Sequence, residues 1–206
     1  MTIEGRGAGM SYVIGITGGV GVGKSRVLSL LKDKFGAEVI LADDVGRQVM
    51  EPGGSCFGPV AELFGPRSVK TEGTLDRAWI AGQVFHDKEL LKKLNGIVHP
   101  AVKEEIIRQC QDSEAKFIAV EAALLLEANY EDVCDEFWYI YADEETRRKR
   151  LRESRGYSDE RIDSVMANQL SEKAFRAGCQ RVIDNGGDLE RTEAEIERAL
   201  RELKLV

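Results

Sequence analysis

The chain's patterned region opens with a short apolar run, Tyr12-Val13-Ile14-Gly15-Ile16-Thr17, that ends in glycines and passes directly into an amphipathic stretch from Lys24 to Phe35. This is the pattern of a strand, a loop and a helix. Gly36 stands where such a helix stops, and Glu38-Val39-Ile40-Leu41-Ala42 supplies a second β-rich run. Together they read as a βαβ unit. Three more runs of the same kind, Phe117–Val120, Phe137–Tyr141 and Arg181–Asp184, are separated by helical patterns. Several are apolar throughout rather than alternating, as parallel strands are when helices cover both faces of the sheet.

The interval from about Pro52 to Gln111 breaks this rhythm, with Gly/Pro punctuation, short helical patterns and no convincing strand. It reads as a mainly helical lobe inserted at about 52–111 into a core formed by 10–51 and 112–206. Pro100 is expected at the first turn of a helix running to about Gln111. Asp44 is expected either to cap a helix over Val45–Met50 or to do chemistry. Ser158, with Asp159 and Glu160 behind it, reads as the N-cap of a helix reaching Gln169. Glu190–Leu203 carries Ile196, Ala199, Leu200 and Leu203 at helical spacing and reads as a packed terminal helix. Residues 1–9 contain Ile3-Glu4-Gly5-Arg6, which resembles a protease-cleavage linker, so Met10 is the expected native start.

Composition narrows the function classes. The 206 residues are 43% hydrophobic and 32% charged, an ordinary globular balance. The longest apolar stretch, Ala119–Leu126, is interrupted by Glu121 and is far short of the roughly 20 residues of a spanning helix. A net charge of −7 argues against a broad embrace of nucleic acid but leaves room for a small anion. Cys56, Cys110, Cys134 and Cys179 stand far apart, as reduced thiols rather than a zinc ribbon or disulfide framework, and with no apolar leader a cytoplasmic location is expected.

Gly18-Gly19-Val20-Gly21-Val22-Gly23-Lys24-Ser25 is a full G-x-x-x-x-G-K-[ST] motif set between a strand pattern and a helix pattern. The glycines let the backbone curl with its N–H groups around phosphate oxygens, at a helix N-terminus. Lys24 is placed to reach the β- and γ-phosphates, and Ser25 to put its hydroxyl on Mg²⁺. A P-loop serves many reactions, so other residues must choose among them. No Asn-Lys pair exists to read guanine, and the chain is short for a motor or a transport ATPase. A small-molecule kinase fits best. Such an enzyme needs cations around the migrating phosphoryl group and a carboxylate for the acceptor hydroxyl. Asp43 and Asp44 lie just past the second strand, at the sheet edge where α/β proteins bind ligands. Glu121 follows the apolar run Phe117–Val120 at the same edge and is a candidate to hold a Mg²⁺-bound water. Residues 144–155 hold six cationic side chains against Glu144, Glu145 and Glu153. With a P-loop present, this segment reads as an arginine-bearing lid, about 144–168, with Arg147 and Arg150 on one face and Arg148, Arg152 and Arg155 on the neighbouring one.

Together these residues resemble the dephospho-coenzyme A kinase family of P-loop kinases over about Tyr12–Leu203. The resemblance rests on Ile14–Ser25, on Val39–Asp44 with Arg47-Gln48-Val49 and Glu51-Pro52-Gly53, on Gly73–Arg77, on Val98-His99-Pro100, on Leu124–Glu127, on Gln169 and on Val182–Asn185. It implies a P-loop three-layer α/β/α fold with a five-stranded parallel sheet and ATP-dependent phosphorylation of the ribose 3′-hydroxyl of dephospho-CoA. ATP and dephospho-CoA are then the partners and Mg²⁺ the cofactor. It gives the lobe to the coenzyme A side with Arg77 and His99 near the acceptor, makes 147–155 the lid and puts Asn185 near the adenine. Three positions depart from the family pattern. Leu41 replaces the first aspartate of Asp-Ala-Asp, which leaves Asp43 as the expected base. Glu121-Ala122-Ala123-Leu124-Leu125 replaces Asp-Val-Pro-Leu-Leu, keeping the charge on a longer arm. Arg26 replaces a threonine and is expected to alter contact with the α-phosphate. The alternatives are another small P-loop kinase, against which the lobe speaks, and a non-enzymatic ATP-dependent switch.

Overall fold

A computed structural model describes residues 11–122 and 125–206; the linker expected at 1–9, the start at Met10, and Ala123 and Leu124 of two family blocks lie outside the described residues. Two compact units divide the chain, one of Met1–Ile40 with Ser113–Val206 and the other of Leu41–Asp112.

The first unit is built on a five-stranded parallel sheet of β1 (Tyr12–Thr17), β2 (Glu38–Leu41), β3 (Phe117–Glu121), β4 (Glu136–Tyr141) and β5 (Arg181–Asp184), in the order β2-β3-β1-β4-β5. The register sets Ile16 of β1 opposite Glu121 of β3 and Trp138 of β4, so the C-terminal ends of these strands form one edge. β1 and β3 are buried along almost their whole length, and β4 carries Trp138 and Ile140 with no exposed surface. Strands apolar on both faces need cover on both. The unit's helices are α1 (Lys24–Asp33), α6 (Glu144–Arg155), α7 (Asp159–Ala167), α8 (Glu172–Gly178) and α9 (Leu189–Glu202); α8 packs on β4, α9 on β5 and α1, and α6 on α7. α9 turns Ile196, Ala199 and Leu200 inward, and Asp188 caps it by accepting from Arg191 N. Ser158 caps α7 in the same way, accepting from Arg161 N, as its position in the sequence suggests.

The second unit is helical: α2 (Ala42–Val49), α3 (Phe57–Phe64), α4 (Arg77–Phe85) and α5 (Lys88–Asp112). It begins at Leu41, before the boundary expected near Pro52, because α2 packs along α5. Two local expectations are corrected. Asp44 is not an N-cap: Leu41 holds that position in an extended conformation, and Asp43 and Asp44 both lie in the first turn of α2, where a carboxylate complements the helix dipole. Pro100 lies inside α5 rather than at its start. Its ring removes the bond that the Gly96 carbonyl would accept, and both residues are exposed, so that carbonyl stays open to solvent.

Candidate active site

The site is assembled where β1 stops. After Thr17 the chain turns through Gly18–Gly23 and enters α1 at Lys24. Gly23 stands at the N-cap with φ 86°, in the left-handed region, and a Cβ there would collide with the Asn185 side-chain amide. No side chain caps α1 and no carboxylate lies in its first turn, so its N-terminal amides and dipole are left for an anion.

Side-chain donors hold the loop by its carbonyls. Asn185, fully buried just after β5, donates from Nδ2 to Val22 O at 2.7 Å and Gly23 O at 3.3 Å, and its Oδ1 accepts from Thr192 Oγ1 at 3.3 Å. Arg150 donates to Val22 O at 3.1 Å and to Asn185 O at 2.7 Å. Arg147 donates from Nε to Val20 O at 2.9 Å. In a planar trans peptide the C=O and N–H point in opposite directions. Fixing the carbonyls of Val20, Val22 and Gly23 therefore aims the amides of Gly21, Gly23 and Lys24 the other way, as a phosphate cradle requires.

The charged groups are arranged accordingly. Lys24 Nζ donates to Gly18 O at 2.8 Å and lies 3.5 Å from Glu121 Oε1 at the end of β3. The ammonium is thus kept at the mouth of the loop beside a carboxylate. Ser25 is exposed in the first turn of α1, with Arg26 next to it. Burial holds the Arg147 guanidinium below its ordinary pKa, against the opposing pull of Tyr139 and Glu144. Burial does the same to Arg150, helped by the positive charge of Arg26. Both arginines stay charged, because their ordinary value is so high. The faces of α6 divide as their spacing indicates: Arg148 pairs with Glu144 and Asp163, and Arg152 with Asp159, while Arg147 and Arg150 turn to the loop.

One participant carried no role in the sequence reading. Gln169, just past α7, accepts at Oε1 from Val20 N at 3.0 Å and from Arg147 NH2 at 3.1 Å. It stood in the sequence only as a point of family resemblance. Gly18, Gly19, Gly21, Val22, Gly23, Lys24, Ser25, Arg26, Glu121, Arg147, Arg150 and Asn185 all belong to the first unit. Asp43, Arg77 and His99 belong to the second. There Asp43 is exposed on α2, Arg77 binds Arg47 O at 2.6 Å and Glu51 Oε1 at 2.7 Å, and His99 is exposed on α5.

A strand–P-loop–helix in a parallel 2-3-1-4-5 sheet, with half-buried arginines on the loop, defines a small P-loop kinase. The sequence model of the dephospho-CoA kinase family matches residues 12–191. A relative named dephospho-CoA kinase from Moorella thermoacetica is 36% identical over 197 residues, covering 94% of this chain and 92% of that one. The crystal structure of TT1252 from Thermus thermophilus superposes with a TM-score of 0.79 at 31% identity, covering 94% and 98% of the two chains. Dephospho-CoA kinase from Campylobacter jejuni shares the fold, with a TM-score of 0.71 at 23% identity and the same coverage. The chain belongs to the dephospho-CoA kinase family.

Proposed function

We propose that the chain transfers the γ-phosphoryl group of ATP to the ribose 3′-hydroxyl of dephospho-CoA, giving coenzyme A and ADP in the last step of coenzyme A biosynthesis. The observation that carries this reading is the family match over residues 12–191, which spans the P-loop and its supporting residues. The loop amides receive the β-phosphate, and Lys24 bridges the β- and γ-phosphates, neutralising charge as the phosphoryl group moves. Arg147 and Arg150, in a lid over about 144–168, add positive charge along the triphosphate, and Arg26 adds it on the α-phosphate side. Asn185, expected near the adenine, serves first by holding the loop on which the nucleotide sits. Asp43 orients and deprotonates the acceptor hydroxyl, and Arg77 and His99, in a lobe at about 52–111, lie on the acceptor side.

The exposed Ser25 hydroxyl and the Glu121 carboxylate are hard oxygen donors of the kind that suits Mg²⁺, Ser25 directly and Glu121 through a water. When bound, the ion neutralises charge on the β- and γ-oxygens. Among the described residues no helix is long and apolar enough to cross a membrane, and the four cysteines form no disulfide. We place the enzyme in the cytoplasm, where thiols stay reduced. The test is incubation with Mg-ATP and a panel of hydroxyl acceptors: ADP release that depends on dephospho-CoA is expected. Release with a different acceptor only would overturn the assignment.

A further inference from the structure

Val20, at the tip of the phosphate loop, has both of its backbone polar groups taken by side chains from the α6–α7 segment. Its N–H donates to Gln169 Oε1 at 3.0 Å, and its carbonyl accepts from Arg147 Nε at 2.9 Å. Arg147 NH2 donates to the same Gln169 oxygen at 3.1 Å. These three bonds close a ring in which one glutamine oxygen serves both the loop and the guanidinium. The fit is tight: a Cβ on Gly19 would stand 2.5 Å from Arg147 NH2 and 2.8 Å from Gln169 Oε1. The peptides on both sides of Val20 are thereby fixed, one by Gln169 and the next by Arg147, and the second of these carries the Gly21 amide.

We infer that Gln169 is a positioning residue for phosphoryl transfer: it locks the Val20 peptide and the Arg147 guanidinium in one arrangement, so that the Gly21 amide and the arginine meet the triphosphate together. The inference rests on the kinase reading above. Gln169 touches no reacting atom and acts through Arg147. Its removal therefore lets the guanidinium and the loop tip move independently, and preorganisation is lost at the moment charge develops. Without Arg147, the glutamine keeps only its bond from the Val20 amide, and the guanidinium it sets is gone.

The test is a double-mutant cycle on the full chain with Gln169→Ala, Arg147→Ala and the pair, joined by Gln169→Met, which keeps volume but has no oxygen acceptor. Turnover with Mg-ATP and dephospho-CoA is read as kcat and KM for each substrate, and ATP affinity is read by calorimetry. Gln169→Met is expected to lower kcat about tenfold with the KM for dephospho-CoA unchanged. The double variant is expected to lie within about threefold of Arg147→Ala alone. A filler or stability role would lower Tm and leave this kinetic split unmoved. Wild-type kcat and KM in Gln169→Met would overturn the inference, as would a double variant that loses the full product of the single losses. If Gln169→Ala does not fold, Gln169→Met carries the same cycle. If the wild type transfers nothing to dephospho-CoA, the functional reading fails, and the cycle is still decided by ATP affinity, where the same non-additivity is expected.

Discussion

Replacing Asn185 tests whether the P-loop is held by its carbonyls. Asn185→Ala removes the bonds to Val22 O and Gly23 O and the one from Thr192 Oγ1. The partners are not orphaned. Val22 O keeps Arg150, Gly23 O keeps the amides of Arg26 and Val27, and Thr192 Oγ1 keeps Asp184 O at 3.0 Å and Asp188 O at 3.2 Å. The cost is then one good bond, two long ones and a small cavity, about 2 kcal/mol in total. For a chain of this size that is a fall in Tm of about 4–8 °C. Loosening the loop should also weaken ATP binding about tenfold, since the cradle must be reordered when phosphate enters. Asn185→Asp is the sharper variant. It sets a carboxylate oxygen against the Val22 carbonyl where a donor stood, in a fully buried position. Burial and the facing carbonyls push its folded pKa up from the unfolded value near 4, against the opposing pull of Arg150, which shares the Val22 carbonyl. The penalty is therefore absent below about pH 4, grows as pH rises toward the folded pKa and is complete above it. Calorimetric Tm values for wild type and both variants between pH 4 and 8 check this. At pH 8 the aspartate variant should be the least stable, and on acidification its gap from wild type should narrow. An aspartate variant whose deficit does not change with pH would refute the idea that the Nδ2 donor holds the loop.

The remaining expectations concern single groups. Lys24→Ala should lower turnover on the order of a hundredfold or more with little change in Tm, because the ammonium is engaged only at the mouth of the site by Gly18 O and Glu121; steady-state kinetics beside a melting curve decide it. Asp43→Asn should keep ATP binding and abolish transfer, whereas Asp44→Asn should cost at most about 1 kcal/mol, because Asp44 pairs with Arg47 on an exposed helix face. The opposite pattern would move the base to Asp44. Cys179, whose thiol burial raises to about 12, should resist alkylation at pH 8 in the folded protein and react like an ordinary thiol in urea. Labelling followed by peptide mass mapping gives the two rates, and equal rates would contradict the burial.

The sequence shows those features that depend on short spacing. The strand, the eight-residue motif and the helix around Lys24 are local, and glycine, lysine and serine at those positions have few other uses. The sorting of Arg147 and Arg150 from Arg148 and Arg152 also follows from spacings of three and four on one helix. Pro100 was misplaced because the rule for proline in helices assumes that the freed carbonyl has nowhere to go, and on an exposed turn it has water. Asp44 was misplaced because a leucine took the cap position in an extended conformation. The resemblance places Asn185 near the adenine, but its grip on the loop is not legible in the sequence, since its partner Val22 is 163 residues away and the sheet order brings them together.

The chain's charge balance takes on a different meaning once these partners are known. A protein with a net charge of −7 must concentrate positive potential to attract a triphosphate, and α6 holds six cations. Part of that charge is already neutralised within the protein. Arg148 and Arg152 are neutralised by Glu144, Asp163 and Asp159, and this pairing joins α6 to α7. Among the described residues, neither Arg147 nor Arg150 enters an ion pair; both give their N–H groups to carbonyls, which are dipoles and leave the unit charge uncompensated. A carbonyl partner positions a guanidinium without cancelling its field, and a carboxylate partner would do both. Under the proposed function, phosphate would meet two fixed, half-buried positive charges whose dehydration was met when the protein folded, which makes such charges more effective than the solvated ones on the far side of the same helix.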